Sequence, residues 1–228
     1  MTVNLRLLAA QIAGLFVLFA AALFLPAGTI AWPAGWGFLI LFFGFVIAVS
    51  FWLFRNSPGL LAERMTGVGK PDQKSWDRTF HIVAGIIFFG WLVLMALDAA
   101  RFQWSEMPLP LQVGGVILLL SSFVLFFRTF RENAYLSPAV RIQKDRGQAV
   151  VSTGPYRHVR HPMYSAFVLY ALSTTLLLSS WWGLLPAVAL IVLVAWRAVQ
   201  EERTLLEELP GYAEYMATVK YRMIPHVW

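Results

Sequence analysis

Six long apolar segments decide most of what this chain can become. They cover about residues 6–25, 33–54, 79–98, 109–127, 162–180 and 182–199, and a helix crossing a bilayer needs about 20 residues of this kind. Lipid offers no partner to a backbone N–H or C=O, so each segment is expected to be helical. Composition agrees: 59% of the residues are hydrophobic and 13% charged, against about half and about a quarter in soluble domains. The expected architecture is an all-α, polytopic membrane helical bundle of five to six transmembrane helices. The last two segments are separated only by the region of "SSWWG" and should form a tight helical hairpin. Pro186 falls early in the final segment, where a kink is expected. The N-terminus, with Arg6, an apolar run and "LPAG", has the outline of a signal peptide. Its apolar run is long and no soluble domain follows it, so an uncleaved first span is the expectation.

Charge then orders the segments. Five Lys or Arg residues lie in 55–78, seven in 128–161, four from Arg197 onward, and Arg6 precedes the first span. Seventeen of the 18 basic residues therefore fall on one side of the membrane, with Arg101 the exception. The positive-inside rule assigns that side to the cytoplasm, with both termini inside. Trp32, Trp36, Trp104, Trp181 and Trp182 near the opposite ends suit an interfacial belt. The net charge of +6 thus follows topology and does not indicate a nucleic-acid partner. With no cysteine, disulfides, thiolate catalysis and cysteine metal sites are excluded.

The polar segments 55–78, 128–161 and 197–228 converge on one face, and one stretch there is unusual. "GPYRHVRHPMY" (154–164) packs two arginines, two histidines, two tyrosines and two prolines against a long uncharged run. Gly154-Pro155 marks a turn. Pro162 suits the first turn of the next helix, which places His161 near its N-cap, where free N–H groups with Arg157 and Arg160 favour an anion. The tail "WRAVQEERTLLEELPGYAEYM" puts Arg197 and Glu201 on one helix face, with Glu202 about 100° away. The Arg-before-Glu order is the weaker one for a mutual salt bridge, which leaves either residue free for a ligand. Pro210-Gly211 should end that helix, and Tyr212 and Tyr215 share a face of a short one after it. "SPGLLAERM" (57–65) reads as an interfacial helix. Four histidines without HxxxH or HExxH spacing argue against a metal site, and His81 reads as a packing residue. There is no phosphate loop and no GxGxxG.

Taken together, "GPYRHVRHPMY", a hairpin of apolar helices and "EERTLLEELPGYAEYMATVKYRMIP" resemble the membrane methyltransferases of the isoprenylcysteine carboxyl methyltransferase and phospholipid methyltransferase type. The resemblance is carried by residues 141–228, and "SPGLLAERM" is similar to an upstream family element. It implies N-terminal transmembrane helices over 1–128 and a methyltransferase core over 129–228, made of cofactor loop, hairpin and amphipathic tail. It further implies S-adenosyl-L-methionine in a cytoplasmic pocket, contacted by Gln148, Ala149, Val150, Val151, Tyr156, His161, Pro162, Met163, Tyr164 and Glu201, with Gln143 a looser match. Arg197 corresponds to the family arginine near the methyl acceptor. Glu202, a tyrosine and His161 are candidate bases for an amine or thiol acceptor; a carboxylate acceptor needs none. The acceptor itself is a lipid-like or small apolar molecule (carboxyl, amine or thiol) reached from the bilayer, in the plasma or inner membrane if the source is bacterial. Two other readings stand beside this one: a sterol-reductase-like enzyme using NADPH, and a non-enzymatic protein with a degenerate fold. No metal and no nucleic acid are implied.

Overall fold

The computed structural model describes residues 3–228, which among themselves form eight α-helices and no strand. These are α1 (Leu5–Ala27), α2 (Pro33–Asn56), α3 (Pro58–Met65), α4 (Ser75–Ala96), α5 (Leu109–Glu132), α6 (Pro162–Leu177), α7 (Leu184–Glu208) and α8 (Tyr212–Thr218). A π-helical turn, Leu97–Phe102, prolongs α4. Four of the eight and this prolonged α4 are long and apolar enough to cross a membrane; α6, at 16 residues, is apolar but shorter. The chain is an integral membrane protein.

Local signals in the sequence start and stop these helices. Asn4 caps α1 by accepting from the Leu7 N–H (3.1 Å), and Gly28, left-handed at φ 69°, closes it. Proline stands at the first position of α2, α3 and α6, where its missing N–H costs nothing. His161 is the N-cap of α6, as its place before Pro162 predicts. "SPGLLAERM" is a helix, α3, joined to α2 by Ser57 alone.

Two boundaries and one expected kink differ from the sequence reading, each for a physical reason. The third span starts at Ser75, because the polar turn Ser75–Arg78 winds into the helix once Asp77 finds a distant partner (below). The fifth ends at Leu177 because Ser179 adopts a left-handed conformation, φ 63°. Pro186 lies within the first turn of α7, where the i−4 bond it would break does not exist, so the sequence expectation of a kink has no cause there.

Without water to exclude, membrane helices hold together through close packing and hydrogen bonds. A phenylalanine-rich cluster fills the middle of the bundle, with Phe19, Phe38, Trp91 and Tyr170 buried in it; Phe45 of α2 stacks on Phe123 of α5 at 4.4 Å between ring centres. At one end, fully buried Asp98 ties three segments together. Its Oδ2 accepts from Ser105 Oγ (2.7 Å), Ser180 Oγ (2.6 Å) and the Trp182 N–H (3.3 Å). Buried acids in a membrane protein need such partners, and this one fixes the α6–α7 turn to the end of α4.

Helices α5 and α6 approach most closely at Gly115. A Cβ there would lie 2.6 Å from the Leu177 nitrogen and 3.0 Å from the Ser173 oxygen, backbone atoms that cannot rotate away. Gly115→Ala is expected to lower stability by about 1–3 kcal/mol through overpacking. Gly114→Ala, with open space around the new methyl, should be neutral or slightly stabilising. Thermal denaturation of both variants in one detergent checks this, and equal midpoints would refute the close approach.

Candidate active site

At the end of the bundle opposite Asp98, the connector 133–161 is folded against α3, α4 and α7 by a set of paired charges. Glu63 of α3, only 6% exposed, accepts from Ser137 Oγ (2.8 Å) and from Arg141 (3.2 and 3.3 Å), and pairs with Lys70. Burial acts to raise its pKa, but the bonds from Arg141, Lys70 and Ser137 outweigh it and hold the carboxyl at about 2. Asp77 of α4, fully buried, accepts the Val140 N–H (2.9 Å) and Arg197 Nε (2.9 Å). Arg197 also donates Nη2 to the Pro138 carbonyl (2.6 Å) and lies over the Phe80 ring. A single acid on α4 thus joins connector and α7.

The other wall is the tail. Buried Arg160 donates Nε to Glu202 Oε1 (2.6 Å) and Nη1 to the Val219 and Lys220 carbonyls (2.7 and 2.9 Å). Arg222 donates to Glu202 Oε2 (2.8 Å), and His161 Nε2 lies 3.2 Å from Oε1. Backbone bonds from Arg160 and His161 to the carbonyls of Tyr221 and Arg222 (2.9 and 2.8 Å) stitch connector and tail edge to edge. Tyr215 Oη donates to the Tyr156 carbonyl (2.8 Å), and Asn133 to Tyr156 Oη (2.9 Å). The segments before α6 and after α7 therefore meet, as the sequence reading requires.

Between them lies a cavity of about 310 Å³. Of the sequence-predicted residues it is lined by Gln148, Ala149, Val150, Val151, Tyr156, His161, Pro162, Met163, Tyr164, Arg197 and Glu201. The backbone N–H groups of 149–151 make no hydrogen bond among the described residues, which leaves an open edge toward the cavity. Glu201 is the one carboxylate lining it among those residues; its Oε2 accepts from Tyr164 Oη (2.5 Å). Tyr212 also lines the cavity, and its buried hydroxyl has no partner among the described residues. Burial pushes the phenols of Tyr156, Tyr212 and Tyr215 well above their usual range, so they remain neutral and offer their ring faces.

Residues 111–212 match the phospholipid methyltransferase family. The match runs from α5 to the first residue of α8, and it contains the connector, the α6–α7 hairpin and every site residue predicted from the sequence. No curated protein is significantly similar to the chain. The match is a similarity of this segment to that family, and it covers less than half of the chain.

Within the matched segment, two predicted residues stand away from the cavity. Gln143 is buried beneath it, donating to the Tyr135 carbonyl (2.5 Å), receiving Arg146 (2.6 Å) and bonding Gln148 through its backbone (2.8 Å). It shapes the connector without facing the space. Glu202, 3% exposed, is turned to Arg160, Arg222 and His161 and is not in the cavity wall. Arg197 and Glu201 form no salt bridge with each other; each has its own partner, Asp77 and Tyr164, and keeps one terminal atom unbonded among the described residues. Arg157 is exposed and outside the wall, and Arg160 spends its guanidinium on Glu202 and two carbonyls. Arg160 nonetheless lines the cavity.

Asp77, Asn133 and the 135–142 stretch were not singled out in the sequence. Asp77 is the one that could have been: an acid in the first turn of an otherwise apolar span demands a partner.

Proposed function

We propose that the cavity binds S-adenosyl-L-methionine and that the protein transfers its methyl group to an acceptor arriving from the lipid. The observation that carries this reading is the joint enclosure of one space by the connector and the tail, within the segment matching the methyltransferase family.

The residues present suit that cofactor. It supplies a methyl group on a positively charged sulfur, together with an ammonium, a carboxylate, ribose hydroxyls and an adenine. Glu201 provides the carboxylate for the ammonium or the ribose, and the free amides of 149–151 provide donors for a ring nitrogen or the carboxylate. Tyr156 and Tyr212 present neutral aromatic faces, which attract a cation without deprotonating anything. The orphan Tyr212 hydroxyl is one more polar contact that a bound polar molecule would complete.

Methyl transfer is an in-line displacement, so this chain's task is to position two reactants in a dry space. Arg197 is held on two sides by Asp77 and Pro138, while its Nη1 makes no hydrogen bond among the described residues; it orients the acceptor. Glu201 Oε1 is likewise without a partner and takes the proton that an amine or thiol acceptor must lose. The charge distribution supports placing this end of the bundle at the cytoplasmic face, and the family resemblance supports the division into N-terminal spans and a C-terminal core.

Equilibrium binding of labelled S-adenosylmethionine to the purified chain tests the proposal. Wild type should bind and NADPH should not compete. Tyr156→Ala should weaken binding at least tenfold through loss of its ring face. Wild-type affinity retained in Tyr156→Ala and Glu201→Ala together would defeat the assignment.

A further inference from the structure

A second cavity, of about 480 Å³, opens among α1, α2, α5 and α6. Its walls are apolar, built by residues such as Ile12, Phe45, Val49, Phe126 and Phe167, and its volume lies in the range of ligand cavities. It shares one residue with the candidate cofactor cavity, Arg64 of α3.

Arg64 differs from the other arginines around the cofactor cavity. Arg141, Arg160 and Arg197 are each paired with a carboxylate, whereas Arg64 takes part in no ion pair among the described residues. Its Nη1 donates to the Leu136 carbonyl (3.2 Å) and its guanidinium lies 4.6 Å from the centre of the Phe130 ring. Neither contact neutralises the charge, and burial holds its pKa down at about 10. A guanidinium is a fork built for oxyanions, and one left without a counter-ion in an apolar setting is costly. Glu63, adjacent in sequence, is already saturated by Arg141, Lys70 and Ser137 and does not supply that counter-ion.

We infer that Arg64 is the specificity-determining residue for the acceptor, reading an oxyanion on an amphiphile whose apolar chain fills the second cavity. The inference rests on the methyl-transfer reading and adds to it the residue that reads the acceptor's head group. An anion at Arg64 stands where the two cavities meet, so the group to be methylated lies near the anionic end and the hydrocarbon extends among α1, α2, α5 and α6.

The test is competition against labelled dodecyl phosphate on the purified full chain in neutral detergent, with S-adenosylmethionine binding measured on the same samples. Dodecyl phosphate and dodecanoate should displace the label at concentrations at least tenfold below dodecanol, and their order separates a phosphate from a carboxylate acceptor. Inorganic phosphate should displace it poorly. Arg64→Gln should reduce the tenfold preference to within about twofold, Arg64→Lys should keep most of it, and Arg128→Gln, on the exposed face of α5, should leave it unchanged. Equal displacement by dodecanol in wild type overturns the inference without recourse to any variant. Displacement by inorganic phosphate as effective as by dodecyl phosphate also overturns it, as does a preference that survives Arg64→Gln. A protein that shows the Arg64-dependent preference but binds no S-adenosylmethionine defeats the methyl-transfer reading alone. One that binds the cofactor without the preference defeats this inference alone.

Discussion

Glu202→Gln is expected to lower stability by about 3–5 kcal/mol, because neutralising one member of a buried ion pair leaves the other charge without compensation. The cost falls mainly on Arg160. Its side chain is 5% exposed against 31% for that of Arg222, and an ion pair open to solvent contributes little. Arg160 also holds the carbonyls of Val219 and Lys220, so its release frees the tail beyond α8 as well. A midpoint lower by about 10 °C is the expected thermal reading, with faster proteolytic cleavage between residues 209 and 228. An unchanged midpoint would show that the tail is held by its aromatic packing alone.

For Glu201→Gln the expectation is reversed. This side chain is partly exposed to the cavity and has one close partner, Tyr164. Loss of its charge should cost stability about 1 kcal/mol or less. The proposed methyl transfer should nevertheless fall by roughly 10² or more, the usual scale for a missing acid–base group, for an acceptor that carries a proton to be removed. The measurement is kcat/KM with labelled cofactor in parallel with the melting curve. A rate within threefold of wild type would move the proton to another acceptor or make the substrate a carboxylate. Adjacent in sequence, the two acids are separated by one helical step of about 100°, which gives one the wall of the cavity and the other the clamp behind it.

That distinction marks where sequence reading stops. The spans were legible because hydropathy and proline placement are local, and the convergence of connector and tail followed from the charges. His161 at the N-cap of α6 and the paired tyrosines of α8 were legible for the same local reason. Which way Glu202 turns was not, because it depends on Arg160, 42 positions earlier. The partner of Arg197 was hidden for a similar reason: Asp77 lies 120 positions away, in a turn that hydropathy alone leaves outside the helix. Gln143 illustrates a third case. Its match to a contact position identified the right segment, but a buried amide bonded to Tyr135 and Arg146 serves the backbone around the site. The apolar cavity between α1, α2, α5 and α6 had no sequence signal, since a residue facing a void and one facing lipid are equally oily.

The Asp98 knot bears on how a molecule could enter or leave. With one carboxylate gripping Ser105, Ser180 and Trp182 at the remote end, the α6–α7 hairpin is pinned like a post set in its footing, and tilting it open would strand a buried acid. Widening at the other end must therefore come from its cladding, and there from 149–151, whose N–H groups are unbonded among the described residues, since the strip after Pro210 is tied to Tyr156 and Arg160. Exchange with water is in that case a motion of the rim, and the membrane-embedded scaffold need not breathe for it.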